Sequence, residues 1–226
     1  MNISKISFGL YSFASLMTVI AVFFDWKWIE FIAKPIIIPA IFYYYTQINK
    51  NEFSLVLVIL LILNFISDMT AVFNYENKGD IIIALNLIAN VLLTYYYLFN
   101  FSILKNYDRR NIFQFIFFLI CFLIITYIFL TLIPGLNPTK IVYYIIYGSI
   151  LSFMGTLSIQ NYLATNSLKS FYAMLICISC IITDTSYVIY NFYLPMKIFI
   201  IISLGVQFGT YFYLVKYFAT KEKKEI

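Results

Sequence analysis

Two aspartates stand deep inside apolar runs, and their surroundings read alike: Ile66-Ser67-Asp68-Met69-Thr70-Ala71-Val72 against Ile182-Thr183-Asp184-Thr185-Ser186-Tyr187-Val188. An ionised carboxylate near the middle of a spanning helix costs about 2.5–3.5 kcal/mol on insertion scales, so each is a candidate functional residue by default. A third charge, Lys34, interrupts another apolar run. Two carboxyls and one ammonium can divide acid and base work: a cation holds its neighbour ionised, while desolvation favours the neutral acid in the carboxyl farther away. The plainer alternative is a structural ion pair that pins helices together.

Other chemistries fail for want of residues. The chain has no His, which excludes a Ser-His-Asp triad, a Cys-His pair and any His-bearing metal site. Cys177-Ile178-Ser179-Cys180 has redox spacing, but its apolar helical setting and the lack of a βαβ pattern favour structural thiols, and Cys121 reads as a small core residue. With seven Gly and no Gly-rich phosphate loop, nucleotide binding is not expected. Neither a metal nor a cofactor is called for.

The elements that must hold these residues are membrane spans. Of 226 residues, 63% are hydrophobic and 11% charged, which leaves too little polar surface for a soluble module. Eight apolar segments, near 4–24, 28–46, 53–73, 81–103, 112–133, 140–161, 169–190 and 196–219, approach the roughly 20 residues a bilayer core demands. Punctuation falls at Asp25-Trp26-Lys27, at 49–52, 74–80 and 105–111, at Pro134 to Pro138, at Thr165-Asn166-Ser167 and at Asn191 to Pro195. No dyad alternation of a barrel is present. The fold expected is therefore all-α: a single integral membrane domain over 1–226, an eight-transmembrane-helix bundle with antiparallel neighbours. The first segment ends in Phe23-Phe24-Asp25 without a small-residue cleavage site and reads as a retained helix.

Basic residues set the orientation. With eight spans, Lys5, Lys50, Lys105, Arg109, Arg110, Lys169, Lys216, Lys221, Lys223 and Lys224 share one side, against Lys27, Lys78, Lys140 and Lys197 on the other. The positive-inside rule makes both termini cytoplasmic, and a multi-pass protein of the bacterial cytoplasmic membrane is expected. The net charge of +5 then meets anionic headgroups and requires no nucleic-acid partner. In this topology Lys34, Asp68 and Asp184 all lie roughly 8–9 Å below the outer interface, at 1.5 Å per residue. The expectation is that helices 2, 3 and 7 converge there, with the lysine between two carboxylates. Pro35 and Pro39 should loosen helix 2 beside Lys34. Trp26, Trp28, Tyr43 to Tyr45 and Tyr95 to Tyr97 lie toward span ends, where aromatic rings settle at headgroup level.

A shift of 116 residues superposes Asp68 on Asp184 and Thr94-Tyr95-Tyr96-Tyr97-Leu98 on Thr210-Tyr211-Phe212-Tyr213-Leu214. Two matches at one offset predict a duplication, about 1–110 and 111–226, of two parallel four-helix repeats about an axis along the membrane normal. Lys34 has no counterpart, because position 150 is Ile.

Four motifs, in order, carry a family resemblance: Lys34-Pro35 through Pro39, Phe65 to Asp68, Tyr147 to Met154, and Thr183-Asp184. They resemble the Lys-Pro helix start, the Gly/Ser-Asp motif, the Tyr-x6-Met helix and the Ser-Asp motif of the YhhN family of lysoplasmalogenase-like membrane proteins. The resemblance implies an eight-span hydrolase of lysoplasmalogens that releases a fatty aldehyde and glycerophosphoethanolamine or glycerophosphocholine. Two departures stand out: Asn90 follows Ala89 where members often have His, and the Gln expected after the Thr-Tyr of the last helix falls near Val215 and Lys216.

Such a reaction needs a proton on the β-carbon, stabilisation of an oxocarbenium-like cation, and a water, work that two carboxylates can share. Asp68 and Asp184 are the catalytic candidates, with neither assigned as the acid. Lys34 would bind the lipid phosphate or tune one Asp, and Asn90, Tyr147 and Tyr211 would line the substrate site or bond neighbouring helices. The partners expected are a lysophospholipid substrate and membrane lipids. Two other classes fit the same residues: a proton-coupled secondary transporter using the Asp pair, and a non-catalytic lipid-binding membrane protein.

Overall fold

The computed structural model describes residues 3–49, 53–73, 78–99, 109–133 and 138–220. Eight α-helices account for nearly all of them: α1 (Ile3–Phe23), α2 (Lys27–Ile48), α3 (Leu55–Val72), α4 (Lys78–Phe99), α5 (Arg109–Leu132), α6 (Pro138–Thr165), α7 (Leu168–Val188) and α8 (Lys197–Ala219). No strand occurs among the described residues. Seven of the eight are long and apolar enough to cross a membrane. The exception is α2, whose hydropathy is lowered by Lys27, Glu30, Lys34, two prolines and Tyr43 to Tyr45. Pro35 and Pro39 lie inside this continuous helix; lacking N–H groups, they leave the carbonyls one turn back without their usual donors.

Local chemistry explains the boundaries. Asp25 and Asn166 take the left-handed conformation, φ 58° and 44°, at the α1–α2 and α6–α7 turns, a region that Asp and Asn tolerate better than most residues. Ser167 then caps α7 through a reciprocal box with Ser170. Past Val188 the chain runs on as a π-helical turn, Ile189–Tyr193, closed by the Leu194 N–H on the Ile189 carbonyl at 2.7 Å. The sequence placed punctuation from Asn191; helical winding instead persists until Pro195 disfavours it at Leu194. The 100–103 end expected for the fourth segment lies outside the described residues.

Neighbouring helices pair off: α1 on α2, α3 on α4, α5 on α6, α7 on α8, with α4 against α6 and α2 against α8 across the bundle. Ile37, Ile41, Leu57, Leu60, Leu61, Met154, Ile176 and Val215 are among its most buried apolar residues. Gly148 and Gly155 let α6 approach α5: a Cβ on Gly148 would stand 2.2 Å from Thr126 Cγ2, and one on Gly155 would stand 3.0 Å from Phe122 Cε2. The Tyr11 hydroxyl donates to the Phe208 backbone carbonyl and ties α1 to α8.

Ion pairs mark one end of the bundle, Asp25 with Lys197 and Asp80 with Lys140 at 3.1 Å. At the other, Lys216 Nζ donates to the Tyr44 hydroxyl at 3.0 Å. The aromatic triplets are split rather than belted. Tyr43 and Tyr95 are exposed, whereas Tyr45 and Tyr97 are buried, because successive residues on a helix point about 100° apart. Tyr45 accepts from Asn49 Nδ2 and the Ser54 N–H, which secures the α2–α3 connection.

Candidate functional site

A cavity of about 570 Å³ opens among the helices, and Lys34, Asp68 and Asp184 all line it. That volume falls in the range of roughly 300–1,000 Å³ usual for small-molecule sites. Its wall is mixed, with Glu30, Ser67, Asn86, Tyr147 and Gln207 facing apolar residues of α5 and α6.

Around Asp68 the network is dense. Lys34 Nζ stands 3.9 Å from its Oδ1, Gln207 Nε2 donates to that oxygen at 2.9 Å, and the Tyr211 hydroxyl donates to Oδ2 at 2.8 Å. Gln207 Nε2 also reaches the Tyr211 oxygen at 2.8 Å. The Lys34 and Asp68 side chains are each 4% exposed, so both charges have left water and depend on one another. Lys34 also lies 3.9 Å from Glu30 Oε1, one turn earlier on α2 and partly exposed.

Asp184 is held differently. Tyr147 donates its hydroxyl to Oδ2 at 2.8 Å, and among the described residues no Lys or Arg pairs with this carboxylate. The residue before each Asp stitches its helix to the next: Ser67 Oγ donates to Asn86 Oδ1 at 3.2 Å, and Ser203 Oγ donates to the Thr183 carbonyl at 3.1 Å. The two bonds differ in kind: the first joins two side chains of α3 and α4, the second a side chain of α8 to a backbone carbonyl of α7.

Beside Asp184 lies a second chamber of about 70 Å³, whose lining includes Asn90, Tyr147, Gln207, Tyr211 and Cys180. A polar space of this size admits a water molecule, which needs roughly 10–15 Å³ of such volume. Asn90 and Tyr211 border this chamber and not the larger cavity. Asn90 lies beside the Tyr147 hydroxyl.

Two expectations need correction. Lys34 does not sit between the two aspartates; it sits between Glu30 and Asp68, because Glu30 shares its helix face one turn away. Nor does α7 meet α2 or α3 directly among the described residues: α2 and α3 pack together through Lys34 and Asp68, and α8 links them to α7, giving Gln207 and Tyr211 to Asp68 and Ser203 to α7. Gln207 is the residue that sequence reasoning missed. Its signal was an amide on an apolar helix four residues before Tyr211, whereas the Gln was sought at Val215 and Lys216, beyond the site. Cys121, Cys177 and Cys180 are free thiols.

Compared with known proteins, residues 29–216 match the family model described as the YhhN family. No curated protein and no solved structure matches the chain.

Proposed function

The chain belongs to the YhhN family, and we propose that it is a membrane-embedded hydrolase of the lysoplasmalogenase kind. Its substrate would be a single-chain lipid with a vinyl ether bond, and its products a fatty aldehyde and glycerophosphoethanolamine or glycerophosphocholine. One observation carries the reading: two carboxyls line one cavity with unlike partners, an ammonium beside Asp68 and a neutral phenol beside Asp184.

That difference separates the roles. Asp68, facing Lys34, is the carboxylate; Asp184, without a cation, carries the proton. Asp184 protonates the β-carbon of the vinyl ether, and positive charge develops across the α-carbon and ether oxygen. The Asp68 carboxylate stabilises that cation electrostatically. Water adds at the α-carbon and returns a proton to Asp184, and the resulting hemiacetal collapses to aldehyde and alcohol. The chamber behind Tyr147 and Tyr211 is a polar reservoir for that water. Lys34 positions Asp68 and lines the cavity, where its ammonium is the group that could face a lipid phosphate, against the opposing charge of Glu30 one turn away.

The eight helices are read as eight spans with both termini cytoplasmic, α2 crossing among the others with its charges turned to the cavity. Two parallel four-helix units, about 1–110 and 111–226, are read from the sequence matches at one 116-residue offset. The test is mass spectrometry of lysoplasmalogen incubated with purified protein in detergent. Aldehyde should form without any ion gradient and should vanish in Asp68→Asn and Asp184→Asn proteins that still insert. Undiminished turnover in both variants would refute the carboxylate mechanism, and solute uptake that collapses with a proton gradient would favour transport.

A further inference from the structure

The bundle is closed on one side and split on the other. Helix α1 packs against both α2 and α8, whereas α5, which occupies the corresponding place in the second half, packs on α6 and touches α7 but makes no contact with α4 among the described residues. Helices α4 and α5 both border the large cavity. From α4 come Ile82 and Ile83, from α5 a single stripe that includes Ile125 and Phe129, and from α6 the buried Leu151. The α4 and α5 side of the cavity is thus mainly aliphatic and aromatic, with Asn86 and Thr126 as its polar members, while Lys34 and the aspartates come from α2, α3 and α7; α4 and α5 each pack on α6 but not on one another among the described residues.

We propose that the α4–α5 cleft is the seat and lateral portal of one long alkyl chain, held with its polar end at Asp68 and Asp184. This rests on the lipid substrate proposed above, and it names the part of the protein that selects chain length. A chain in a bilayer is already out of water, so moving it into the cleft gains no hydrophobic free energy; fit against the α5 stripe decides the preference. The amphiphile matches the cavity in order: charged residues at one side, aliphatic and aromatic side chains along the other. The exposed face of α5, with Phe117, Ile124 and Ile128, is the control surface, since it lies away from the cavity.

The experiment uses the full protein in nanodiscs with a 1-alkyl lysophosphoethanolamine carrying a photoactivatable diazirine near the chain end. Because the alkyl ether has no vinyl group, labelling does not depend on turnover and also proceeds in Asp184→Asn. Adducts are expected on Ile82, Ile83, Ile125 or Phe129, reduced at least about tenfold by excess unlabelled lysolipid. Adducts spread equally over Phe117, Ile124 and Ile128, or indifferent to competitor, would overturn the portal. As a second measure, Ile83→Trp should lower kcat/KM for long-chain substrate about tenfold more than for short-chain substrate, and Phe129→Ala should shift the optimum toward longer chains. Equal loss for all lengths would count against the cleft. Specific labelling without aldehyde release would keep the portal and reject the hydrolase; aldehyde release without specific labelling would do the reverse.

Discussion

Lys34→Met is the most telling perturbation of the site. The ammonium and the Asp68 carboxylate are 3.9 Å apart with each side chain 4% exposed, and at an effective dielectric of ~20 their attraction is about 4 kcal/mol. Removing the lysine leaves a buried carboxylate with only two hydrogen bonds, from Gln207 and Tyr211. The penalty for an uncompensated buried charge is about 3–5 kcal/mol. Asp68→Asn in the same protein deletes that charge, keeps an acceptor for Gln207, and offers an amide N–H to the Tyr211 oxygen. The double variant should therefore be more stable than Lys34→Met alone, with a coupling of about 1.5–3 kcal/mol. Unfolding in SDS, followed through Trp26 and Trp28, reads the cycle. Glu30→Gln is the control: Glu30 is 24% exposed, and solvent screening should hold its effect within about 1 kcal/mol. Single-variant effects that add to within about 0.5 kcal/mol would mean that Lys34 and Asp68 do not sense each other, and the division of roles between the aspartates would fall with them.

Tyr147→Phe removes the hydroxyl bonded to Asp184 at 2.8 Å and should lower the rate of aldehyde release about 10–100-fold, as expected for about 1.5–3 kcal/mol of charge-assisted hydrogen bonding; an unchanged rate would free Asp184 of that partner. Gly148→Ala drives a methyl into Thr126 Cγ2 and should destabilise by about 1–3 kcal/mol, with Thr126→Ala restoring much of the loss in a thermal melt. Tyr11→Phe deletes the bond to the Phe208 carbonyl and should lower stability by about 1 kcal/mol while leaving the KM for lysolipid as it was.

Helix existence was legible because a span of about 20 apolar residues leaves few alternatives, and Asp25, Asn166 and Pro195 announced their turns. Asp68, Asp184 and Lys34 were legible because charges at membrane depth are scarce enough to stand out. What the one-dimensional pattern lacked was rotation. Periodicity is weak when nearly every face of a helix is apolar, so nothing marked Tyr45 and Tyr97 as inward and Tyr43 and Tyr95 as outward. For the same reason Gln207 looked like one polar residue among many, and α8 did not declare itself as the element that completes the Asp68 network. Glu30 stands one turn before Lys34 in the sequence, but nothing in the linear pattern showed that it shares the lysine with Asp68.

The Tyr11 bond to Phe208 spans 197 residues, and those from Gln207 and Tyr211 to Asp68 span 139 and 143. A ribosome delivers the first of these partners long before the last. Until the final helix leaves the insertion machinery, Asp68 waits in the lipid with its amide and phenol donors still unmade, and Tyr11 of the first helix, although packed on α2, lacks its acceptor. Shortened chains ending before residue 207 should thus be quality-control substrates, prone to extraction and degradation, however faithfully their first seven helices insert.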